Sequence, residues 1–302
     1  MILKERKESD ELLTMRYLNT RMQLTEKDKS RYFKLEKGYE GEVKFDTLAE
    51  NILEERYILN DMLLEVNNSY FQIDSTIVSQ GVIYLLDIKN FEGDYFLDSD
   101  KFYSVASGRE YKNPLDQLKR STTLFRHLLQ IHRLHYLVES FVIFINQEFT
   151  LYQAPMNQPL ILPTQVNRFL KEFDKTPSKL DDGHKKLSQK LMTLHQPKNP
   201  FSATPAYEYS QVKKGCYCKT CKSFKVYIVN YHLVCENCGG QEKIEHAILR
   251  HMEEFKLLFP DRNITTHSIY EWCQTGLNEK TIRRIMKKNF TAFGNTRDTY
   301  YK

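Results

Sequence analysis

Two Cys-x-x-Cys pairs, Cys218-Lys219-Thr220-Cys221 and Cys235-Glu236-Asn237-Cys238, stand 13 residues apart in the last third of this chain. Four thiols at that spacing constrain the fold more than any apolar pattern does, because one tetrahedral Zn²⁺ takes four such ligands and ties two loops together. Between the pairs, Phe224-Lys225-Val226-Tyr227-Ile228-Val229 and His232-Leu233-Val234 read as strands around an Asn230-Tyr231 turn, so a hairpin is expected to join them. A redox Cys-x-x-Cys would not require a second pair at matched spacing, and persistent disulfides are disfavoured in a reducing compartment. The expectation is a zinc ribbon with a structural metal: four protein ligands leave no open coordination position, and so small a segment depends on metal to fold. Cys216 offers an alternative first thiol, but the spacing favours Cys218, and His232 is read as an ordinary exposed histidine of the hairpin.

Earlier in the chain, Gly38-Tyr39-Glu40-Gly41-Glu42, Phe71-Gln72-Ile73-Asp74 and Tyr84-Leu85-Leu86-Asp87-Ile88-Lys89-Asn90 follow in that order. A carboxylate two residues before a lysine is common in so charged a chain and recurs at Glu5-Arg6-Lys7, Glu42-Val43-Lys44, Glu110-Tyr111-Lys112 and Glu254-Phe255-Lys256. Asp87-Ile88-Lys89 differs in ending the apolar run Val82-Ile83-Tyr84-Leu85-Leu86, which reads as a buried strand. Strand alternation puts Asp87 and Lys89 on one face, and charges on a buried face must be paired or bound to metal. Asp74 ends a second apolar run, and Gln80-Gly81 suits a hairpin turn that would bring Asp74 near Asp87. Cleaving a phosphodiester needs this kind of set: carboxylates to hold Mg²⁺ on the scissile phosphate and a cation to steady the attacking water. The residues alone leave a structural ion pair beside the sheet as the competing reading.

The order of elements bears on that choice. Val43, Phe45, Leu48, Ala49, Ile52 and Leu53 have helical spacing, which places Glu42 near the start of an amphipathic helix. Strands are expected at 62–66, 70–79, 82–88 and 95–105. Asn113-Pro114 then opens a helix through Leu115, Leu118, Leu124, Phe125, Leu128 and Leu129, and Phe141-Val142-Ile143-Phe144-Ile145 returns to strand. This arrangement resembles the NERD (nuclease-related) domain, a branch of the PD-(D/E)XK nuclease fold. The resemblance is carried by G-x-x-G-E at Gly38 to Glu42, by Gln72-Ile73-Asp74, by Asp87-Ile88-Lys89-Asn90-Phe91-Glu92-Gly93 and by Asn113-Pro114-Leu115-Asp116-Gln117. It implies a catalytic set of Glu42, Asp74, Asp87 and Lys89, with Gln72 and Gln117 as supporting polar residues. It further implies Mg²⁺ or Mn²⁺ held by Asp74, Asp87 and the carbonyl of Ile88. Many family members carry Glu where this chain has Asp87, a change that alters reach while keeping a metal-binding carboxylate.

Prolines and polar residues thicken after Phe173 and again at Gln196-Pro197-Lys198-Asn199-Pro200, which marks a linker with a short helix between its halves. Past the ribbon, Ile244 to Phe259 has helical spacing, and 266–273 forms a short helix. Gln274-Thr275-Gly276-Leu277 turns, and Asn278 caps a last helix carrying Lys280, Arg283, Arg284, Lys287 and Lys288 against Glu279. Three helices with glycine in the second turn resemble a helix-turn-helix unit, and its basic helix makes Arg283, Arg284, Lys287 and Lys288 the expected nucleic-acid contacts. A plain helical bundle is the alternative.

The chain of 302 residues, net charge +5, is therefore expected to be α/β. A nuclease-like core of mixed sheet flanked by helices precedes a small zinc ribbon and a helix-turn-helix-like unit. The boundaries read as 1–36, a charged helical extension; 37–175, the nuclease-like domain; 176–211, the linker; 212–243, the ribbon; and 244–302, the helical domain. The first residues lack a signal-like apolar stretch and no run reaches the ~18 residues of a membrane span, so a cytoplasmic protein is expected. The functional expectation is a metal-dependent nuclease acting on DNA, with Mg²⁺ or Mn²⁺ for catalysis, Zn²⁺ for structure, nucleic acid as partner and no membrane. A protein partner or homo-oligomer stays open. The alternatives are a non-catalytic DNA-binding scaffold and a subunit of a DNA-processing or defence complex.

Overall fold

A computed structural model describes residues 1–50, 52–294 and 299–301. Chain order begins β1 (Ile2–Lys4), α1 (Asp10–Arg21), α2 (Glu26–Ala49), β2 (Tyr57–Val66), β3 (Ser69–Val78), β4 (Val82–Lys89), β5 (Gly93–Asp98), β6 (Lys101–Ser104) and β7 (Glu110–Tyr111). It continues with α3 (Pro114–Ile131), β8 (Leu137–Phe144), β9 (Phe149–Tyr152), β10 (Leu160–Ile161), α4 (Val166–Lys175) and α5 (Asp182–Leu194). The last part holds β11 (Val226–Val229), β12 (His232–Cys235), β13 (Gln241–Lys243), α6 (Ile244–Leu258), α7 (Thr266–Cys273), α8 (Glu279–Asn289), β14 (Ala292–Phe293) and β15 (Tyr300–Tyr301). These elements form two units: residues 1–8 with 33–202, and 9–32 with 203–302.

The first unit is built on a mixed sheet in the order β1-β2-β3-β4-β8-β10. The β2–β3 and β3–β4 pairs are antiparallel, whereas β1, β8 and β10 each run parallel to a neighbour. One face buries Phe71, Ile73, Ile83 and Leu85 under Phe125, Leu128 and Leu129 of α3 and Leu187 and Leu191 of α5. The other buries Ile58, Ile77, Leu86, Ile88 and Ile143 under Phe45 of α2 and Val166, Leu170 and Phe173 of α4. Covering both faces explains why β4 and β8 read as continuous apolar runs. A second sheet, β7-β6-β5-β9, packs Tyr95, Phe102, Phe149 and Leu151 against Leu118 of α3 and Val142 and Phe144 of β8.

Several expected elements change on folding. Helix α2 starts at Glu26, so Glu42 lies in its last third and not near its start; Gly38 and Gly41 are helix-interior residues. The strand expected over 95–105 is a hairpin, because Ser99 takes φ +56° and turns the chain between β5 and β6. The short helix expected within the linker forms as α5, but its Leu187 and Leu191 are core residues, so this segment belongs to the packed first unit. The N-cap of α5, Asp181, accepts from His184 N at 3.0 Å. Residues 1–36 do not form one extension. β1 joins the sheet beside β2, while α1 belongs to the second unit.

In that second unit Arg21 of α1 forms a two-pronged ion pair with Glu254 of α6 at 2.6 and 2.9 Å, both side chains fully buried. Its guanidinium also lies 4.0 Å from the Trp272 ring centroid, and its Nη1 donates to the carbonyls of Lys213 and Gly215. A buried arginine tolerates its site only when its donors are satisfied in this way. No helix among the described residues is long and apolar enough to cross a membrane.

Candidate functional site

The sheet of the first unit forks at Asp74 and Asp87. The β3–β4 ladder runs from Val78↔Ile83 to Ser75↔Leu86, and one further step of that register sets Asp74 opposite Asp87. Beyond this point β3 is paired only with β2, and β4 only with β8 as far as Lys89↔Phe144. At the split, the Ile88 backbone N–H donates to Asp74 Oδ2 at 2.8 Å, a side chain replacing the lost strand partner. Lys89 Nζ donates to Asp87 Oδ1 at 2.9 Å and lies 2.8 Å from Oδ2, and Gln117 Nε2 of α3 donates to Oδ1 at 3.1 Å. Asp87 and Lys89 thus share the face turned to α3, as strand alternation requires. Phe91 anchors the chain just after them among Tyr95, Phe102 and Tyr111.

Glu42 comes to the same region from α2 because that helix can approach the sheet at a glycine. A Cβ on Gly41 would stand 2.5 Å from Asn90 Cβ and 3.2 Å from Ile145 Cγ2, whereas a Cβ on Gly38 would meet nothing within 4 Å. Gly41→Ala is therefore expected to lower stability by about 1–3 kcal/mol through overpacking. Gly38→Ala should raise it by up to about 1 kcal/mol through helix propensity. Thermal melting of the two variants checks this, and equal melting temperatures would remove the argument for close helix–sheet approach.

One residue absent from the sequence reading organises this region. Arg6, just past β1, donates Nη1 to Glu42 at 2.6 Å, Nε and Nη2 to Asp46 at 2.7 and 3.0 Å, and Nη2 also to the Asp74 carbonyl at 2.8 Å. Nothing in Glu5-Arg6-Lys7 sets it apart from a solvated charge run; the parallel pairing of Ile2 with Ile58 carries it there. Asp61 was also missed. It takes φ +53°, a conformation Asp tolerates, and its Oδ1 accepts from Gln72 Nε2 at 2.8 Å. Gln72 itself is exposed and makes its contact with Asp61, while Gln117 touches Asp87 directly.

Excess negative charge dominates the electrostatics. Burial pushes the Asp87 carboxyl up to about 7, with Lys89 pulling it down and Asp74 pushing it further. Burial and then Asp74 push Glu42 up to about 8 against the pull of Arg6. Asp74 is raised by burial too, despite Lys89 and the Ile88 N–H, and Lys89 is raised by Asp87 and Asp74 even though burial opposes it. Asp87 Oδ2 lies 2.8 Å from Lys89 Nζ as an ion-pair contact without hydrogen-bond geometry. Buried carboxylates in excess of their cations fit a hard divalent cation that favours oxygen ligands. The geometry limits which of them could share it. Among the described residues only the four cysteines form a group of three or more such side chains whose ligand atoms all lie within 4.8 Å of one another, so the acids of the fork do not converge as a trio.

In the second unit, Cys218, Cys221, Cys235 and Cys238 converge, with Sγ–Sγ distances of 3.6 Å for Cys218–Cys238 and 3.5 Å for Cys221–Cys235. A tetrahedron with Zn–S near 2.3 Å has edges of about 3.8 Å, so these thiols can hold a zinc ion with little movement. The hairpin forms as expected: Val226↔Cys235 to Val229↔His232 are paired, and Asn230 and Tyr231 both take positive φ, as a tight two-residue turn demands. Cys216 is outside the cluster; its backbone N–H donates to the Cys273 carbonyl at 2.8 Å. On α8, Arg283, Arg284 and Lys287 are exposed, whereas exposed Lys288 is paired with Glu245 at 2.8 Å.

Comparison with known families adds one finding. Residues 37–145 match the nuclease-related domain, NERD, a stretch that holds Glu42, Asp74, Asp87, Lys89 and Gln117. This part of the chain is a nuclease-related domain, and the mixed sheet flanked by helices accords with it. No curated protein and no solved structure matches the chain significantly.

Proposed function

We propose that the nuclease-related domain hydrolyses phosphodiester bonds in DNA with the help of Mg²⁺ or Mn²⁺, and that the second unit delivers it to substrate. The observation that carries the reading is the fork, where Asp74 and Asp87 lie at opposed register positions with Lys89 and Gln117 on Asp87. A structural ion pair needs one acid and one base. It gives no reason to bury Asp74, Asp87 and Glu42 against their ionisation.

In this reading Asp74, Asp87 and the carbonyl of Ile88 hold the cation, which when bound supplies charge neutralisation at the scissile phosphate and a more acidic water. Lys89 orients that water and offsets the negative charge developing on phosphate oxygens. Gln117 fixes the Asp87 carboxylate by its hydrogen bond, and Arg6 holds Glu42 at the edge of the site. Gln72 supports the site through Asp61. Four thiolates hold a structural zinc in the ribbon, and Arg283, Arg284 and Lys287 are assigned to the nucleic-acid-binding unit, whereas Lys288, expected with them, is engaged by Glu245.

The test is direct: purified protein is incubated with linear duplex, circular and single-stranded DNA in Mg²⁺, in Mn²⁺ and without divalent metal. Degradation that requires the metal is expected. Absence of cleavage with every substrate and metal, together with retained DNA binding, would favour the scaffold reading, in which the fold is kept and no bond is broken.

A further inference from the structure

Helix α8 divides its side chains into two faces. Ile282, Ile285 and Met286 are buried, and Lys280, Arg283, Arg284 and Lys287 are exposed at the i, i+3, i+4, i+7 positions of a single stripe. None of these four is paired with a carboxylate among the described residues. Lys288 differs. Its Nζ lies 2.8 and 3.1 Å from the two carboxylate oxygens of Glu245, and Asn289 donates to the same carboxylate at 3.1 Å, so this end of α8 is tied to the start of α6.

The elements around α8 set the stripe at the front of a helix-turn-helix. Helix α7 ends at Gln274 with φ +42°, Gly276 takes φ +75°, and the Asn278 side chain caps α8 by accepting from Thr281 N at 2.9 Å. After α8 the chain forms the β14–β15 pair, Ala292↔Tyr301 and Phe293↔Tyr300. The Tyr301 N–H donates to the carbonyl of Ile264, in the segment between α6 and α7, at 2.9 Å. A three-helix unit followed by a short antiparallel strand pair whose second strand bonds back ahead of α7 has the layout of a winged helix-turn-helix, a feature the helical spacing alone did not reveal.

Resting on the DNA reading above, we infer that α8 enters the major groove of duplex DNA with Lys280, Arg283, Arg284 and Lys287 as its contact stripe, and that Lys288 belongs to the fold. The stripe covers about 10 Å of helix axis at ~1.5 Å per residue, a length over which a duplex presents about six phosphate charges at one per ~1.7 Å, so each of the four cations has a phosphate within its reach along the groove. A helix of about 10–12 Å diameter fits a major groove about 12 Å wide. A single strand is the poorer fit, because its binding depends on aromatic side chains that stack bases and the exposed face of α8 between Lys280 and Lys287 carries none.

The experiment uses the full chain carrying Asp87→Asn, so that DNA is bound without being cut, in magnesium-free buffer containing zinc. Affinity for a duplex and for one of its strands is measured by fluorescence anisotropy across a salt series. Preference for the duplex is expected. Replacing Lys280, Arg283, Arg284 and Lys287 together by Ala should weaken duplex binding about 10-fold or more and flatten the log K against log salt slope by up to about 3.6, or ~0.9 per phosphate contact. Lys288→Ala should leave affinity and slope unchanged and lower the melting temperature. All four stripe residues are exposed, so their variant should keep its zinc and its melting temperature; should it not, Arg284→Glu alone must show the same loss of duplex affinity. An unchanged slope in the fourfold variant, or equal binding of duplex and single strand, overturns the inference, and capture of an acidic protein in place of DNA would do the same. Because cleavage is measured separately on the chain with Asp87 intact, metal-dependent cleavage with an unchanged slope would sink only the role of α8. Failure of both cleavage and DNA binding would sink the nuclease reading as well.

Discussion

Asp87→Asn is expected to abolish metal-dependent cleavage while making the metal-free protein more stable at neutral and alkaline pH. The loss of activity should exceed about 100-fold, since even outer-shell partners of a metal site typically cost about 10- to 100-fold when removed. The gain in stability follows from the sign of the perturbation. Asp87 is raised in the folded protein from an ordinary 3.8 to about 7, and Glu42 from 4.5 to about 8. A carboxyl raised by folding holds its proton more tightly in the native state, so its contribution is complete below the unfolded value and is lost as pH rises through the folded one. The metal-free wild type should therefore lose stability between about pH 4 and about pH 8. Asn cannot ionise, so the variant should show a shallower fall; Mg²⁺ should raise the wild-type melting temperature at pH 8 and leave the variant unmoved. Melting curves across pH, with and without Mg²⁺, decide the matter. Full activity in the variant would remove Asp87 from the site.

Cys235→Ser should release the ribbon's metal and unfold residues 212–243, an effect of comparable size. Structural Zn²⁺ sites of this kind contribute apparent binding free energies of about 10–16 kcal/mol, and in a small segment that free energy is folding free energy. Cys235 is nearly buried, lies 3.5 Å from Cys221 by sulfur, and accepts from Asn237 N at 3.3 Å, so serine would remove a ligand and the thiolate that this N–H supports. Elemental analysis should find about one zinc per wild-type chain and near none in the variant. Cys216→Ser should keep its metal, because that thiol stands outside the cluster beside Cys273. Metal lost with Cys216→Ser and kept with Cys218→Ser would reassign the knuckle.

The residues that could be read without coordinates are those whose role is set by near neighbours in the chain. Cys-x-x-Cys spacing, the Asn230-Tyr231 turn and the Asn278 cap depend on a few adjacent residues. Asp87 and Lys89 could be paired because strand alternation dictates a shared face. The start of α2 is misplaced by sequence because the apolar spacing that locates it begins only at Val43, while residues 26–42 are mostly charged; only packing shows that Gly41 is needed where the helix meets Asn90.

By itself, then, the sequence determined the four-cysteine cluster, the strand bearing Asp87 and Lys89, the match to a nuclease-related domain and the basic character of α8. Tertiary structure decided the rest. Arg6 reaches Glu42 only because β1 docks beside β2, and Arg21 reaches Glu254 across 233 positions of sequence. The fork exists because β3 and β4 stop pairing while each keeps its other neighbour. Lys288 is separated from the contact stripe by Glu245, a partner 43 residues away. Such pairings are settled by burial and charge compensation between distant segments, which no local period or spacing encodes.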